Sequence, residues 1–188
     1  MAWPDHIIEK FDIVDVNTTD ESEYYAPYNT LLNFLFPSEQ HFAIAPQYKG
    51  PVFPGSIDFT TIYIVQRQKH PVFFIDIKPQ THLKHDGTRA AADKQMRERY
   101  TRLKDDLAID KLYGLSAMGA HFAVYEYDRA TNRLRPAQIP ADPELMVDVA
   151  PKERWQFDLL SEVGSAKLAG LVDEVKGMCN ALYSPSQK

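Results

Sequence analysis

The chain has little of several features that assign a protein to a class. It holds one cysteine, Cys179, so neither a disulfide framework nor a thiolate metal site can be built from it. Its net charge of −5 argues against the uniformly basic surface of a dedicated nucleic-acid binder. No apolar run approaches the roughly 20 residues that span a bilayer, and the N-terminus lacks the pattern of a signal peptide. We therefore expect an intracellular protein, cytoplasmic or nuclear, that does not associate with membranes.

Two familiar catalytic patterns are also missing. Gly114 and Gly119 do not have the spacing of a glycine-rich phosphate loop, and Ser116 with His121 does not form a nucleophile elbow. What the chain does have is length and apolar content: 188 residues, of which 44% are hydrophobic, suffice for one well-buried core. We therefore predict a single domain over residues 1–188.

The periodicity of apolar residues predicts an α+β fold with a central β-sheet. Helical spacing marks about residues 20–36, 88–107 and 157–182, and strand-like segments mark about residues 41–49, 56–66, 72–78, 111–118 and 121–127. The second and third strands are joined by a short polar segment and predict a β-hairpin. The order is therefore helix, three strands, helix, two strands, helix.

Three charged residues in the predicted hairpin can converge on one point of the sheet. Asp76 and Lys78 share a face of the third strand because side chains alternate along a strand, and Asp58 lies on the second strand. Two carboxylates are hard oxygen ligands suited to Mg²⁺ or Mn²⁺, and an adjacent lysine can offset charge that develops on a phosphate. An isolated Asp-x-Lys is common on solvated strands, where it needs no function. Here the apolar run Val72–Ile75 precedes it, and an ionised carboxylate buried in a covered sheet is costly unless it is paired or binds metal.

With these residues in place, the chain resembles the PD-(D/E)XK superfamily of nucleases. The succession of elements over about residues 20–127 is similar to the αβββαβ restriction-endonuclease-like core of that family, a mixed central sheet flanked by helices, which leaves residues 128–188 as an elaboration. The resemblance implies that Asp58, Asp76 and the backbone carbonyl of Ile77 bind the metal and that Lys78 is catalytic. Ile57 stands where the family pattern has proline.

The resemblance also implies two further catalytic positions. Family members often add an acidic residue from the first helix, for which Glu23 and Glu21 are both candidates. Some exonuclease-like branches carry Gln-x-x-x-Tyr on the helix after the third strand; here Gln95 precedes Tyr100 with one residue too many, and only Gln95 is carried over. The Tyr-x-Pro-Tyr-Asn segment that begins at Tyr25 and the Asp-Ile-Lys-Pro strand end are similar to those of a group of fungal proteins.

Basic residues are concentrated directly after the predicted site. Seven lysines and arginines face three acidic residues between Lys84 and Lys104, a net charge of +4 that leaves −9 for the rest of the chain. This patch could guide a phosphate backbone towards the metal, with Lys84, Arg89, Lys94 and Arg97 as the nucleic-acid contacts. The alternative is a solvated helix face with ion pairs one turn apart.

The function expected from these features is a nuclease that needs Mg²⁺ or Mn²⁺ and hydrolyses phosphodiester bonds of DNA or RNA. The alternative is a module that keeps the nuclease fold without turnover and binds nucleic acid or a protein partner. Homodimers are common among such nucleases, so the resemblance also allows a homodimer.

Overall fold

The computed structural model describes residues 3–49, 60–142 and 144–183. The helices in this part of the chain are α1 (Asp5–Asp12), α2 (Tyr25–Leu35), α3 (Asp86–Leu103) and α4 (Glu162–Tyr183). The strands are β1 (Phe42–Lys49), β2 (Thr60–Arg67), β3 (His70–Lys78), β4 (Lys111–Met118), β5 (His121–Asp128), β6 (Arg133–Arg135) and β7 (Phe157–Asp158). Short 3-10 turns at Glu21–Tyr24, Gln80–Lys84 and Lys152–Trp155 flank the site described below.

The strands form one mixed sheet in the order β1-β2-β3-β4-β5-β6, with β7 pairing to β5. Neighbours are antiparallel except for β3 and β4, which are parallel and are connected through α3. A parallel pair needs such a crossover because its strands run in the same direction. The predicted α+β fold, with a central mixed sheet flanked by helices, is confirmed.

The predicted hairpin is present, and its register is set by its turn together with a bulge. Gln68 and Lys69 have φ values of 52° and 69°, the left-handed conformation that a two-residue hairpin turn of type I′ requires at both positions. The turn pairs Gln66 with Pro71, and a register shift between Val65 and Gln66 then moves the pairing by one residue, so that Ile62 lies opposite Asp76.

Strand β3 lies in the middle of the sheet and is covered on both faces. Residues 71–78 are all buried. On one face Phe73 packs against Phe36, which follows α2, with ring centroids 5.4 Å apart; on the other Phe74 packs against Tyr100 of α3 at 5.0 Å. Because side chains alternate along the strand, Asp76 and Lys78 point to the same side as Phe74. Two charged residues are thus held beneath α3.

The structure differs from the sequence prediction at the element ends. The first predicted helix is split into the Glu21–Tyr24 turn and α2, and the final helix begins at Glu162 because Phe157–Asp158 pairs with β5 instead. Helix α1 was not predicted. Its eight residues are too short for a strong periodic signal, although Ile7 and Phe11 are buried.

The start of α4 packs too closely on the preceding strand for any side chain larger than hydrogen. A Cβ added at Gly164 would overlap the backbone carbonyl of Asp158, whereas one added at Gly170, exposed in the same helix, would meet no atom within 4 Å. We expect Gly164→Ala to lower the free energy of unfolding by about 1–3 kcal/mol, the usual cost of overpacking. Gly170→Ala should raise it by about 0.5–1 kcal/mol, since alanine favours a helix. Urea denaturation checks both values, and equal midpoints for the two variants would contradict this packing.

Candidate metal and phosphate site

Asp76 is a buried carboxylate between two cations. Its side chain is 3% exposed, the Lys78 Nζ lies 3.5 Å from its Oδ1, and the Arg99 Nε lies 3.6 Å from its Oδ2. Neither Oδ2 nor the Arg99 Nε has a hydrogen-bond partner among the described residues. Burial raises the pKa of Asp76, and the charges of Lys78 and Arg99 oppose that rise without cancelling it. The carboxylate therefore keeps an unused lone-pair oxygen in a setting where an ionised group is costly.

Glu21 joins this group from the turn that precedes α2. Its Oε2 accepts a hydrogen bond from the Lys78 Nζ at 3.2 Å, and its Oε1 accepts one from the Tyr25 hydroxyl at 2.6 Å. Its side chain is 20% exposed, so it forms the more solvent-accessible edge of the group. The local sequence places it there, because Asp20 caps the turn by accepting from the Ser22 amide at 2.9 Å.

The structure separates the two candidate glutamates of the first helix. Glu23 lies on the exposed side of the turn and accepts a hydrogen bond from the Thr18 hydroxyl at 2.8 Å. Glu21 contacts Lys78 instead. The two residues differ in direction because they are two positions apart in a helical turn, and Glu21 is the one brought to Asp76 and Lys78. We call Glu21, Asp76, Lys78 and Arg99 the acidic-basic quartet.

Of the three predicted metal ligands, the structure describes Asp76 and Ile77. Asp58 lies outside the described residues. Ile77 is fully buried and pairs with Ala117 of β4, while the described pairing of β2 with β3 ends at Ile62 and Asp76. Ile77 thus has no partner among the described residues of β2.

The quartet contains two of the oxygen donors that a hard divalent ion needs. Within residues 3–49, 60–142 and 144–183, no group of three or more His, Cys, Asp or Glu side chains is arranged to hold a metal. The two carboxylates of the quartet are hard oxygen donors, and one oxygen of Asp76 has no hydrogen-bond partner in that part of the chain. Such donors fit Mg²⁺ or Mn²⁺ and not Zn²⁺, which favours nitrogen and sulfur. The chemistry of the group fits a hard divalent ion, with further oxygen ligands required.

Helix α3 contributes one residue that the sequence reasoning missed. Arg99 was counted only as part of the basic patch, yet its side chain is 7% exposed and reaches Asp76. It lies one helical turn after Gln95, whose Oε1 is also buried without a hydrogen-bond partner among the described residues. The i,i+4 spacing of Gln95 and Arg99 puts both on one face of α3. This spacing is the sequence signal that could have identified Arg99 as a site residue.

The four predicted nucleic-acid contacts fall into two classes. Lys84 and Lys94 are exposed, and neither forms an ion pair with a described residue. Arg89 is 4% exposed; its guanidinium donates to the carbonyls of Ala150 and Leu83 and to the carboxylates of Asp86 and Asp148. It ties α3 to the chain after β6 and has no free face for a phosphate.

The donors of the Arg97 guanidinium are also used within the protein. It donates two hydrogen bonds to Asp93 and one to the carbonyl of Pro136. Asp93 is buried and accepts in addition from Arg154 and from the Tyr125 hydroxyl. The pairs Arg89–Asp86 and Arg97–Asp93 are ion pairs between residues one helical turn apart. Such pairs were the alternative to a nucleic-acid contact surface on this helix. The accessible positive charge is therefore smaller than the sequence count suggested.

His82 stands beside the quartet, in the Gln80–Lys84 turn that follows β3. Burial lowers the pKa of His82, the positive charge of Lys78 lowers it further, and the negative charge of Glu21 opposes both. The imidazole is therefore neutral at neutral pH and can either accept or donate a hydrogen bond.

No family model matches the chain, and comparisons with curated proteins and with solved structures find no match either. None of the helices in the described ranges combines the length and the apolar content needed to cross a bilayer. The arrangement of the quartet on the sheet is thus the strongest guide to what the protein does.

Proposed function

We propose that the protein is a divalent-metal-dependent phosphodiester hydrolase of the PD-(D/E)XK type that acts on nucleic acid. The observation that carries the proposal is the buried Asp76 carboxylate, which lies between Lys78 and Arg99 with Glu21 across the lysine. Two features support it. Asp76 and Lys78 lie at the end of the third strand of an αβββαβ succession, and Glu21, from the turn before α2, meets Lys78 there.

The burial of the Asp76 carboxylate favours a ligand at this point. Removing a carboxylate from water costs several kcal/mol in a real protein, and ion pairing repays this only with good geometry and further hydrogen bonds. The contact of Asp76 with Arg99 is 3.6 Å long and is not a hydrogen bond. A purely structural ion pair would be expected to close that gap, as Arg97 does with Asp93 at 2.8 Å. The open geometry is consistent with a site that has evolved for another partner.

Each residue of the quartet then has a role. Asp76 and Glu21 supply carboxylate oxygens, and Asp58 with the Ile77 carbonyl would complete the ligand set. When bound, a divalent ion would polarise a phosphate oxygen and lower the pKa of the attacking water. The Lys78 ammonium lies within 3.2–3.5 Å of both carboxylates, where it can orient that water and offset negative charge that develops on the phosphate. Arg99 stabilises the ionised form of Asp76 from the opposite side.

A second candidate is a nuclease-fold module without turnover. It is favoured by one observation: the two carboxylates and two cations of the quartet balance to zero formal charge, so the group needs no metal ion to be neutral overall. Such a module would bind nucleic acid or a protein without a need for metal.

A cleavage assay tests the proposal. Labelled single- and double-stranded DNA and RNA are incubated with the protein and Mg²⁺ or Mn²⁺, with EDTA and Asp76→Asn as controls. We expect cleavage of at least one substrate that EDTA abolishes and that the variant lacks, because asparagine keeps the shape of the side chain but not its charge. Cleavage that survives in the purified Asp76→Asn variant would refute the assignment.

A further inference from the structure

A cavity of about 510 Å³ lies beside the Gln80–Lys84 turn, which follows Lys78 at the end of β3. Its lining comes from the Gln80–Lys84 turn, from the start of β5 and from the Lys152–Trp155 turn with the residue after it. The lining residues are Gln80, Leu83, Lys84, His121, Lys152, Glu153, Trp155 and Gln156. This volume is within the usual range of small-molecule sites, about 300–1,000 Å³.

The sheet links the cavity to Asp76. Ser116 of β4 pairs with Asp76 of β3, so the two side chains point to the same face on neighbouring strands, about 5 Å apart. The Trp155 indole donates a hydrogen bond to the Ser116 hydroxyl at 3.2 Å, which fixes this wall of the cavity one strand away from Asp76. A ligand in the cavity and a phosphate at the quartet could therefore belong to one molecule.

The opposite wall is fixed by the end of β3. Gly119 donates from its amide to the carbonyl of Lys78 at 2.9 Å and has a φ of 62°. A Cβ at this position would lie 2.6 Å from Gln80, so the glycine allows the Gln80 side chain to pack against the β4–β5 turn. The same contact holds Gln80, two residues after Lys78, in the lining of the cavity.

The lining carries two lysines against one carboxylate, that of Glu153. Lys84 and Lys152 are exposed and form no ion pair with a described residue, so their ammonium groups are free to meet a phosphate. Leu83 and Trp155 are 8% and 1% exposed, so they form a packed apolar part of the lining. Gln80, Gln156 and His121 offer hydrogen-bonding groups for a base edge, and the His121 Nδ1 has no hydrogen-bond partner in the described part of the chain.

We propose that this cavity binds one nucleotide of the substrate strand, adjacent to the phosphate at the quartet. The inference rests on the proposed function, because it assigns the same substrate to a neighbouring subsite. It gives residues 152–156 of the C-terminal elaboration a role in recognition and Lys84 a defined phosphate contact.

Intrinsic fluorescence tests the proposal without metal or turnover. The chain has two tryptophans, and Trp3→Phe leaves Trp155 as the reporter. Deoxyadenosine monophosphate, a short single-stranded oligonucleotide and inorganic phosphate are titrated in EDTA. We expect both nucleotide probes to change the fluorescence and phosphate to bind at least about tenfold more weakly, since it lacks the base. Lys84→Ala with Lys152→Ala should weaken nucleotide binding about tenfold or more, because both charge-assisted contacts with the phosphate are lost.

The matched control removes two exposed lysines elsewhere, Lys10→Ala with Lys167→Ala, and should bind as the parent does. Because the titration is made in EDTA and measures binding without turnover, failure of the nuclease proposal and failure of the cavity proposal give different results. Three outcomes would overturn the cavity proposal: no fluorescence change with either nucleotide probe, equal binding by the Lys84/Lys152 variant, or phosphate binding as strong as that of the mononucleotide.

Discussion

Replacement of Lys78 by alanine is expected to lower kcat for metal-dependent cleavage by about 10²–10³-fold with little change in KM. The ammonium acts on charge that develops in the transition state, and loss of one such preorganised donor has an effect of this size. Lys78 is buried against two carboxylates, so the variant also leaves Glu21 and Asp76 without their shared cation. Steady-state kinetics at saturating Mg²⁺ measures the change, with circular dichroism to establish that the variant is folded.

The two glutamates of the Glu21–Tyr24 turn provide the matched pair for this experiment. Glu21→Gln should lower the cleavage rate and the metal affinity, because it removes a carboxylate that meets Lys78. Glu23→Gln should leave both unchanged, since Glu23 is exposed and bonded to Thr18. Equal effects of the two substitutions, or a Lys78→Ala enzyme as fast as the wild type, would contradict the roles given to the quartet.

Metal-dependent stabilisation that disappears as the pH falls is the second large effect that we expect. At a Mn²⁺ concentration of about 100 times Kd, binding to the folded state alone contributes about 2.7 kcal/mol. For a chain of this length that raises Tm by about 5–10 °C. Asp76→Asn should show no such rise.

The pH dependence follows from the carboxylate that the metal and the proton share. Burial raises the pKa of Asp76 in the metal-free protein. Protons therefore compete with the metal ion for this carboxylate at pH values above those at which an ordinary aspartate is protonated. Stabilisation by Mn²⁺ should therefore be complete above that raised pKa and should be lost as the pH falls through it. Melting curves with and without Mn²⁺ from about pH 4, the ordinary range of an aspartate, to about pH 8 measure the shift; the same rise in Tm across this range would exclude Asp76 as a titrating ligand.

The fold could be predicted because its signals are local. Strand β4 was predicted with its observed bounds, Lys111–Met118, and the hairpin followed from two strands rich in β-branched and aromatic residues around a short polar segment. Alternation along β3 also sufficed to place Asp76 and Lys78 on one face. Helix α1 and the short strands β6 and β7 were missed, because segments of two to eight residues are held by tertiary contacts more than by their own periodicity.

The site was harder to predict because it depends on pairs that are distant in sequence. Glu21 and Glu23 are the same residue type in the same turn, and only the packing of that turn against β3 decides which one meets Lys78. Arg89 and Arg99 look alike in the sequence, yet one is tied to Asp148 and the carbonyl of Ala150 and the other points to Asp76. A count of charges along a helix cannot distinguish these cases, since each depends on which acid the fold brings near.

The most direct test of the account is a calorimetric titration of the wild-type protein and Asp76→Asn with Mn²⁺ at a pH well above the raised pKa of Asp76. A hard divalent ion bound by the carboxylates of the quartet predicts saturable binding to the wild type, with binding at least about tenfold weaker in the variant, since a charged ligand oxygen is lost. Wild-type protein that binds no Mn²⁺, or an Asp76→Asn variant that binds it equally well, would contradict the central claim.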